Sequence, residues 1–158
     1  MSLLIVWHSR TGAAQAMAAA AAEGAGDVAR LLRAEEARPA DLLGASAYLF
    51  VCPENLASMS GAMKEFFDSS YYPLFGRIEG RAYATAIAAG SDGEGAQRQI
   101  DRIATGWRLR RVAEQLIVNL GAQTPEQILA TKHLDHDQRS RCRALGAGLG
   151  EGVRLGIF

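Results

Sequence analysis

The stretch LLIVWHSRTGAAQAMA, residues 3–18, joins an apolar run to a short polar loop and then to an alanine-rich segment. The run is apolar almost throughout, which is typical of a parallel strand covered by helices on both faces. Alanine is the best helix former, so the segment after the loop predicts a helix over residues 12–25 that ends near Gly24 and Gly26. A strand, loop and helix in this order indicate an α/β fold.

The same alternation continues along the chain. Apolar runs predict five strands, at residues 3–8, 28–32, 47–53, 82–89 and 114–120. Helical patterns predict helices at residues 12–25, 60–70, 96–108 and 136–153. Thr124 and Gln127 form a capping box around Pro125, which predicts a short extra helix at 125–131. We therefore predict an α/β doubly wound sheet within one domain, residues 1–158.

Composition and charge exclude some classes of function but do not identify a binding partner. The 158 residues are 49% hydrophobic, which is enough for one buried core. Seventeen Lys and Arg balance seventeen Asp and Glu, so the charge predicts neither nucleic acid nor a membrane surface as partner. The first apolar run is too short for a signal peptide or a membrane span, and only two cysteines occur. We therefore predict a reducing, cytoplasmic location.

Three small, polar, glycine-bearing loops follow strands one, three and four: SRTG (9–12), PENLASMS (53–60) and AGSDGEGA (89–96). Parallel strands place these loops at one edge of the sheet, where ligands bind such folds. In the first loop Ser9 and Thr11 offer hydroxyls, and the helix after Gly12 begins with free N–H groups that suit an anion. No Walker lysine or G-x-G-x-x-G pattern is present. The alternative that Ser9 and Thr11 are only turn and cap residues stays open here.

Taken together, WHSRTGAAQAMA, VCPENLASMSGAMKEFFD and AAGSDGEGA resemble the flavodoxin-like superfamily, in its NADPH-dependent FMN reductase and NAD(P)H:quinone oxidoreductase branch. The most specific piece is P-x-x-x-x-S-M-S-G-x-M-K-x-F-F-D, and the resemblance covers most of residues 1–120. It implies a three-layer sandwich with a five-stranded parallel sheet of order 2-1-3-4-5. It also implies noncovalent FMN, with the phosphate in the first loop and the isoalloxazine ring between the second and third loops.

The resemblance assigns cofactor contacts to residues of all three loops and to one aromatic residue beyond them. They are Ser9, Arg10, Thr11, Gly12, Ala13, Ala14, Pro53, Glu54, Asn55, Leu56, Ala57, Ser58, Gly90, Ser91, Asp92, Gly93, Gly95 and Tyr72. The chain departs from the family pattern at Ala14, where a hydroxyl residue is usual, so that Arg10 would compensate with a charge-assisted bond. It also departs at Glu54 and Asn55, where an aromatic residue is often found.

Tyr71, Tyr72 and Phe75 follow the second predicted helix, and Pro73 interrupts their spacing. The proline predicts an exposed loop, in which these rings would be accessible. In the family, aromatic residues near this place reach the flavin or nicotinamide pocket, often from a neighbouring subunit. The resemblance therefore implies a homodimer or homotetramer.

Three functions are compatible with these residues. The first is an FMN oxidoreductase that takes hydride from NAD(P)H, passes electrons to a quinone, flavin or similar small acceptor, and needs no catalytic side chain. The second is a flavodoxin-type electron carrier, although such carriers are usually acidic and arginines crowd residues 98–111 here. The third is an interaction module that has lost the cofactor.

Other chemistries fit the sequence less well. A phosphatase built on Cys52 needs an arginine six positions on, where Ser58 stands, so a buried structural thiol is the better interpretation. His133 and His136 lie in one polar stretch without a second cluster, so we predict no metal site. We interpret His8 as an imidazole hydrogen-bonded to the backbone rather than as a base, and the run RLRR (108–111) as a solvated helix end.

Overall fold

The computed structural model describes residues 1–158 and contains a parallel sheet. Its strands are β1 (Leu3–Trp7), β2 (Ala29–Arg33), β3 (Ala47–Asn55), β4 (Ser58–Met59), β5 (Ala82–Ala89), β6 (Arg110–Arg111) and β7 (Leu116–Asn119). The order across the sheet is β2-β1-β3-β5-β6, with β7 also paired to β5 and the short β4 antiparallel to β3. Because β6 pairs with the start of β5 and β7 with its end, they are two halves of one broken fifth strand. The predicted order 2-1-3-4-5 is confirmed.

Helices cover both faces of the sheet. They are α1 (Ala13–Ala25), α2 (Pro39–Leu43), α3 (Gly61–Leu74), α4 (Glu94–Gly106), α5 (Pro125–Leu129) and α6 (His136–Arg154), with one 3₁₀ turn at Gly26–Val28. Alternate residues of each central strand enter opposite cores, one under α1 and α6 and the other under α3 and α4. Both faces of β1, β3 and β5 are therefore dry, which explains their uninterrupted apolar runs. No helix is long and apolar enough to cross a membrane.

The glycine-rich C-terminal segment is a helix because it packs against α1 at very short range. A β-carbon on Gly146 would overlap the carbonyl oxygen of Ala21, and one on Gly24 would overlap that of Arg143. The alanines of α1 and the glycines of α6 thus let the two backbones approach closely. Asp135 caps α6 by accepting a hydrogen bond from the Gln138 N–H at 2.7 Å. Close packing and this cap offset the low helix propensity of glycine.

Two predicted boundaries are wrong, for different physical reasons. The run RLRR is not a helix end: α4 ends at Gly106, and Arg110–Arg111 form β6, with Arg111 bonded to Asp101 at 2.6 Å. Residues 71–74 are not a loop, because α3 continues through Pro73 to Leu74. The rings of Tyr71 and Trp107 stack with their centroids 5.7 Å apart. This contact stabilises the last turn of α3, although Pro73 has no N–H to donate a helical hydrogen bond.

Candidate functional site

A cleft of about 450 Å³ lies at the carboxyl edge of the sheet, where the three glycine-bearing loops meet. Predicted site residues that line it are Ser9, Arg10, Thr11, Ala13, Ala14, Pro53, Glu54, Asn55, Leu56, Ala57, Gly90 and Ser91. The lining that the sequence interpretation missed is Ala88, Ala89, Leu120, Ala122, Ile128, Leu129 and Lys132. The cleft therefore has four walls. The three glycine-bearing loops, in chain order, are the first, second and third walls, and the connection from β7 to α6 is the fourth.

The first wall presents unpaired backbone donors. Gly12 is the N-cap of α1 with φ of 104°, a left-handed conformation that favours glycine. Its N–H donates to the Ser9 hydroxyl at 3.1 Å, and no side chain caps the helix. The first bond of the helix runs from the Ala16 N–H to the Gly12 carbonyl at 3.0 Å, so the N–H groups just before it have no helical partner. This donor set suits a phosphate or another anion.

The second wall is a tight hairpin between β3 and β4. Its two central residues, Leu56 and Ala57, have φ of 52° and 61°, in the left-handed region that non-glycine residues rarely adopt. The Leu56 side chain is fully exposed at the mouth of the cleft. An aliphatic side chain thus stands at the tip of the second loop. The pairing of β3 with β4 on either side holds the turn in this costly conformation.

Glu54 joins the second loop to the third. Its carboxylate accepts hydrogen bonds from the Gly93 N–H at 2.8 Å and the Ala96 N–H at 3.1 Å, so it caps the start of α4. A β-carbon on Gly95 would overlap the carbonyl oxygen of Ala57. Gly93 and Gly95, together with Ser58, Asp92 and Gly12, lie beside the cleft and do not line it. Gly93 and Gly95 allow the second and third loops to pack closely against each other. This contact between the two loops is called the loop joint below.

Replacing Glu54 by alanine will loosen the loop joint. We expect a loss of about 1–3 kcal/mol in the free energy of unfolding, because two partly buried N–H groups lose their acceptor. Urea denaturation followed by circular dichroism measures the loss. Glu114→Ala, an exposed change outside the cleft, is the control and should alter stability by less than about 0.5 kcal/mol. Equal stability of the two variants would contradict a capping role for Glu54.

The fourth wall closes against the first and third loops. The Lys132 N–H donates to the Thr11 carbonyl at 2.8 Å, and the Ala122 N–H donates to the Gly90 carbonyl at 3.0 Å. Within this wall α5 has the predicted capping box at Thr124 and Gln127, although it ends at Leu129. The capping box signalled the helix, but nothing local signalled that it packs beside the first loop.

Tyr72 is not brought to the cleft of its own chain. Helix α3 starts at the carboxyl edge of the sheet and its 14 residues carry Tyr72 to the opposite edge, about 20 Å away. There the Tyr72 ring is 80% exposed and packs edge-on to Tyr71. The predicted loop at Tyr72 is therefore wrong, because the helix continues through Pro73, whereas a contact of Tyr72 with the cofactor of a neighbouring subunit stays a prediction.

Two other polar groups near the edge are structural. His8 Nδ1 lies 2.8 Å from the Ser60 hydroxyl, and burial lowers the pKa of the imidazole below its usual value. The prediction of a backbone partner for His8 is therefore wrong, because the partner is the side chain of Ser60, the N-cap residue of α3. The Cys52 thiol is fully buried, and burial raises its pKa to about 12, so it is not a nucleophile at neutral pH.

Comparison with known proteins agrees with this geometry. No protein-family model matches the chain. A curated protein named flavodoxin from Aquifex aeolicus is 28% identical over 97% of this chain and 87% of its own length. A solved flavodoxin, a WrbA-like protein from Agrobacterium tumefaciens, superimposes with a TM-score of 0.73 at 24% identity, covering 98% of both chains. An NADPH-quinone reductase from P. pentosaceus gives 0.68 at 17% identity, covering 95% of this chain and 98% of its own. The chain has a flavodoxin-like fold.

Proposed function

We propose that this chain binds FMN in the four-walled cleft and takes part in electron transfer. The observation that carries the proposal is the set of free N–H groups at the start of α1, placed in the same cleft as the hairpin and the third loop. A phosphate needs such donors, and a flat ring needs a gap between loops. The fold of the relatives named flavodoxin supports the same proposal.

In this proposal each wall has one task. The backbone of residues 9–14 and the Ser9 and Thr11 hydroxyls hold the phosphate. Leu56 and the backbone at Gly90 flank the ring, and Glu54 keeps these two loops at a fixed separation. Bound FMN would supply hydride and electron transfer, which is chemistry that no side chain here performs. N–H groups of the third loop would favour negative charge on the nearby ring edge.

We propose NAD(P)H as the electron donor and a quinone, flavin or similar small molecule as acceptor. The balanced charge of the chain supports this, because it gives no strong field for steering to a basic protein partner. The likeness to an NADPH-quinone reductase structure is compatible with it. A homodimer or homotetramer, in which exposed Tyr72 approaches a second copy, remains part of this proposal.

A flavodoxin-type electron carrier is the second candidate. Two observations favour it: the curated relative is named flavodoxin, and one chain supplies all four walls of the cleft. A carrier exchanges electrons with protein partners and does not react with NAD(P)H.

Anaerobic mixing of the FMN-loaded protein with NADPH, and separately with NADH, separates the two candidates. An oxidoreductase will bleach the flavin absorbance within the time of turnover, whereas a carrier will stay yellow. Dithionite reduction of the same sample is the control that the flavin is reducible. A protein that takes up no FMN would contradict both candidates and leave an interaction module.

Replacing Thr11 by valine will weaken FMN binding by about 1–3 kcal/mol, because the change keeps the size of the side chain and removes a hydroxyl from the phosphate wall. Thr11 lines the cleft and is half-buried. The dissociation constant of the apoprotein, measured by flavin fluorescence quenching, gives the effect. Thr105→Val, on α4 outside the cleft, should leave it unchanged. An unchanged constant for Thr11→Val would place the phosphate elsewhere.

A further inference from the structure

Lys132 lies on the fourth wall, next to the loop proposed to hold phosphate. Its N–H donates to the Thr11 carbonyl at 2.8 Å, and its own carbonyl oxygen lies 3.4 Å from the place of a β-carbon on Gly12. The residue also lines the cleft. These contacts fix the backbone of Lys132 against the start of α1, although more than 110 positions separate the two in sequence.

The ammonium group of Lys132 is held in place without being neutralised. Its Nζ donates to the carbonyl oxygens of Ile128 at 2.9 Å and Ala130 at 2.6 Å. An ammonium has three N–H donors, so one donor stays free. No carboxylate pairs with it, whereas the ammonium of Lys64 is paired with Asp68 at 2.6 Å. The end of α5 therefore carries an ammonium that is hydrogen-bonded to two carbonyl oxygens and is not paired with a carboxylate.

The first loop has one cation of its own, the exposed guanidinium of Arg10, while a phosphate monoester carries about 1.5 to 2 negative charges at neutral pH. Glu54 supplies the one carboxylate in the lining of the cleft, and that carboxylate accepts hydrogen bonds from the start of α4. A second cation beside the loop would match the charge of the ligand.

We propose that Lys132 is a phosphate-binding residue, whose ammonium makes the cleft prefer a phosphorylated flavin to the same flavin without phosphate. This inference rests on the proposed function and deepens it, since it assigns part of the cofactor selectivity to the connection between β7 and α6. The ammonium acts by a charge-assisted hydrogen bond, so its effect weakens as ionic strength rises.

The test is titration of apoprotein with FMN and with riboflavin, at low and high ionic strength, followed by fluorescence quenching. Lys132→Met should raise the dissociation constant for FMN about tenfold or more at low salt. Binding of riboflavin should change by less than about twofold, because no phosphate is present. Lys132→Arg should restore FMN affinity, and the control Lys64→Met should match the wild-type protein. Thermal melting of each apoprotein reports whether it is folded.

Two results with a wild-type protein that binds FMN would overturn the role of Lys132 and leave the proposed function standing. One is an unchanged FMN affinity in Lys132→Met. The other is an equal loss for FMN and riboflavin, which would mean that the lysine only supports the end of α5. A wild-type protein that binds neither flavin would overturn the proposed function, and this inference with it.

Discussion

Replacing Gly146 by valine will strongly destabilise the native fold. The new β-carbon would overlap the carbonyl oxygen of Ala21, which is backbone inside α1 and cannot move aside as a side chain can. Relief requires that α1 and α6 separate, which opens the core around Met17 and Leu149. We expect a loss above about 4 kcal/mol in the free energy of unfolding, a large share of the 5–15 kcal/mol typical of a domain.

Urea denaturation followed by far-ultraviolet circular dichroism will measure this loss. Gly148 is the matched control: it lies two residues away in the same helix, and a β-carbon there meets nothing within 4 Å. Gly148→Ala should stabilise the protein by up to about 1 kcal/mol, since alanine is the better helix former. A Gly146→Val protein with a wild-type midpoint would contradict the close packing of these helices.

Replacing Gly90 by valine will remove most of the affinity for FMN. A β-carbon at Gly90 would overlap the carbonyl oxygen of Ala122, so the fourth wall must shift away from the third loop. The branched side chain would also stiffen a backbone that the ring has to approach. Overpacking of this kind costs about 1–3 kcal/mol, and a loss of that size in binding free energy corresponds to about a fivefold to 150-fold rise in the dissociation constant.

Titration of folded Gly90→Val apoprotein with FMN and riboflavin will measure this effect. Both flavins should bind more weakly, because the displaced wall borders the ring as well as the phosphate. Gly61→Ala is the control at the same edge of the sheet, since a β-carbon there meets nothing within 4 Å. Wild-type affinity in a folded Gly90→Val protein would show that the third loop does not contact the ligand.

Much of the fold follows from local sequence patterns. Continuous apolar runs predict β1, β3 and β5 because these strands are buried on both faces. The capping box at Thr124 predicts α5 because its hydrogen bonds lie within four residues. The short elements α2, β4 and β6 escape such reasoning, since two to five residues carry no period.

The parts of the site that sequence could not predict depend on contacts between distant residues. Glu54 caps α4 by accepting a hydrogen bond from Gly93, which lies 39 positions further along the chain. The resemblance predicted a cofactor contact for Glu54 and gave no sign of this cap. The left-handed turn has no glycine or asparagine at its two central positions, Leu56 and Ala57, to signal it. Lys132 reaches the first loop only because α5 folds back over it. The loop predicted around Tyr72 is absent because a proline near the end of a packed helix does not break it.

The most direct test of the central claim is equilibrium titration of the purified apoprotein with FMN. We predict a dissociation constant below about 1 μM, which corresponds to about 8 kcal/mol of binding free energy, and weaker binding of riboflavin under the same conditions. Such affinity with such a preference requires both a ring site and a phosphate site. Absence of saturable FMN binding, or equal affinity for the two flavins, would contradict the assignment of the cleft as a phosphate-anchored flavin site.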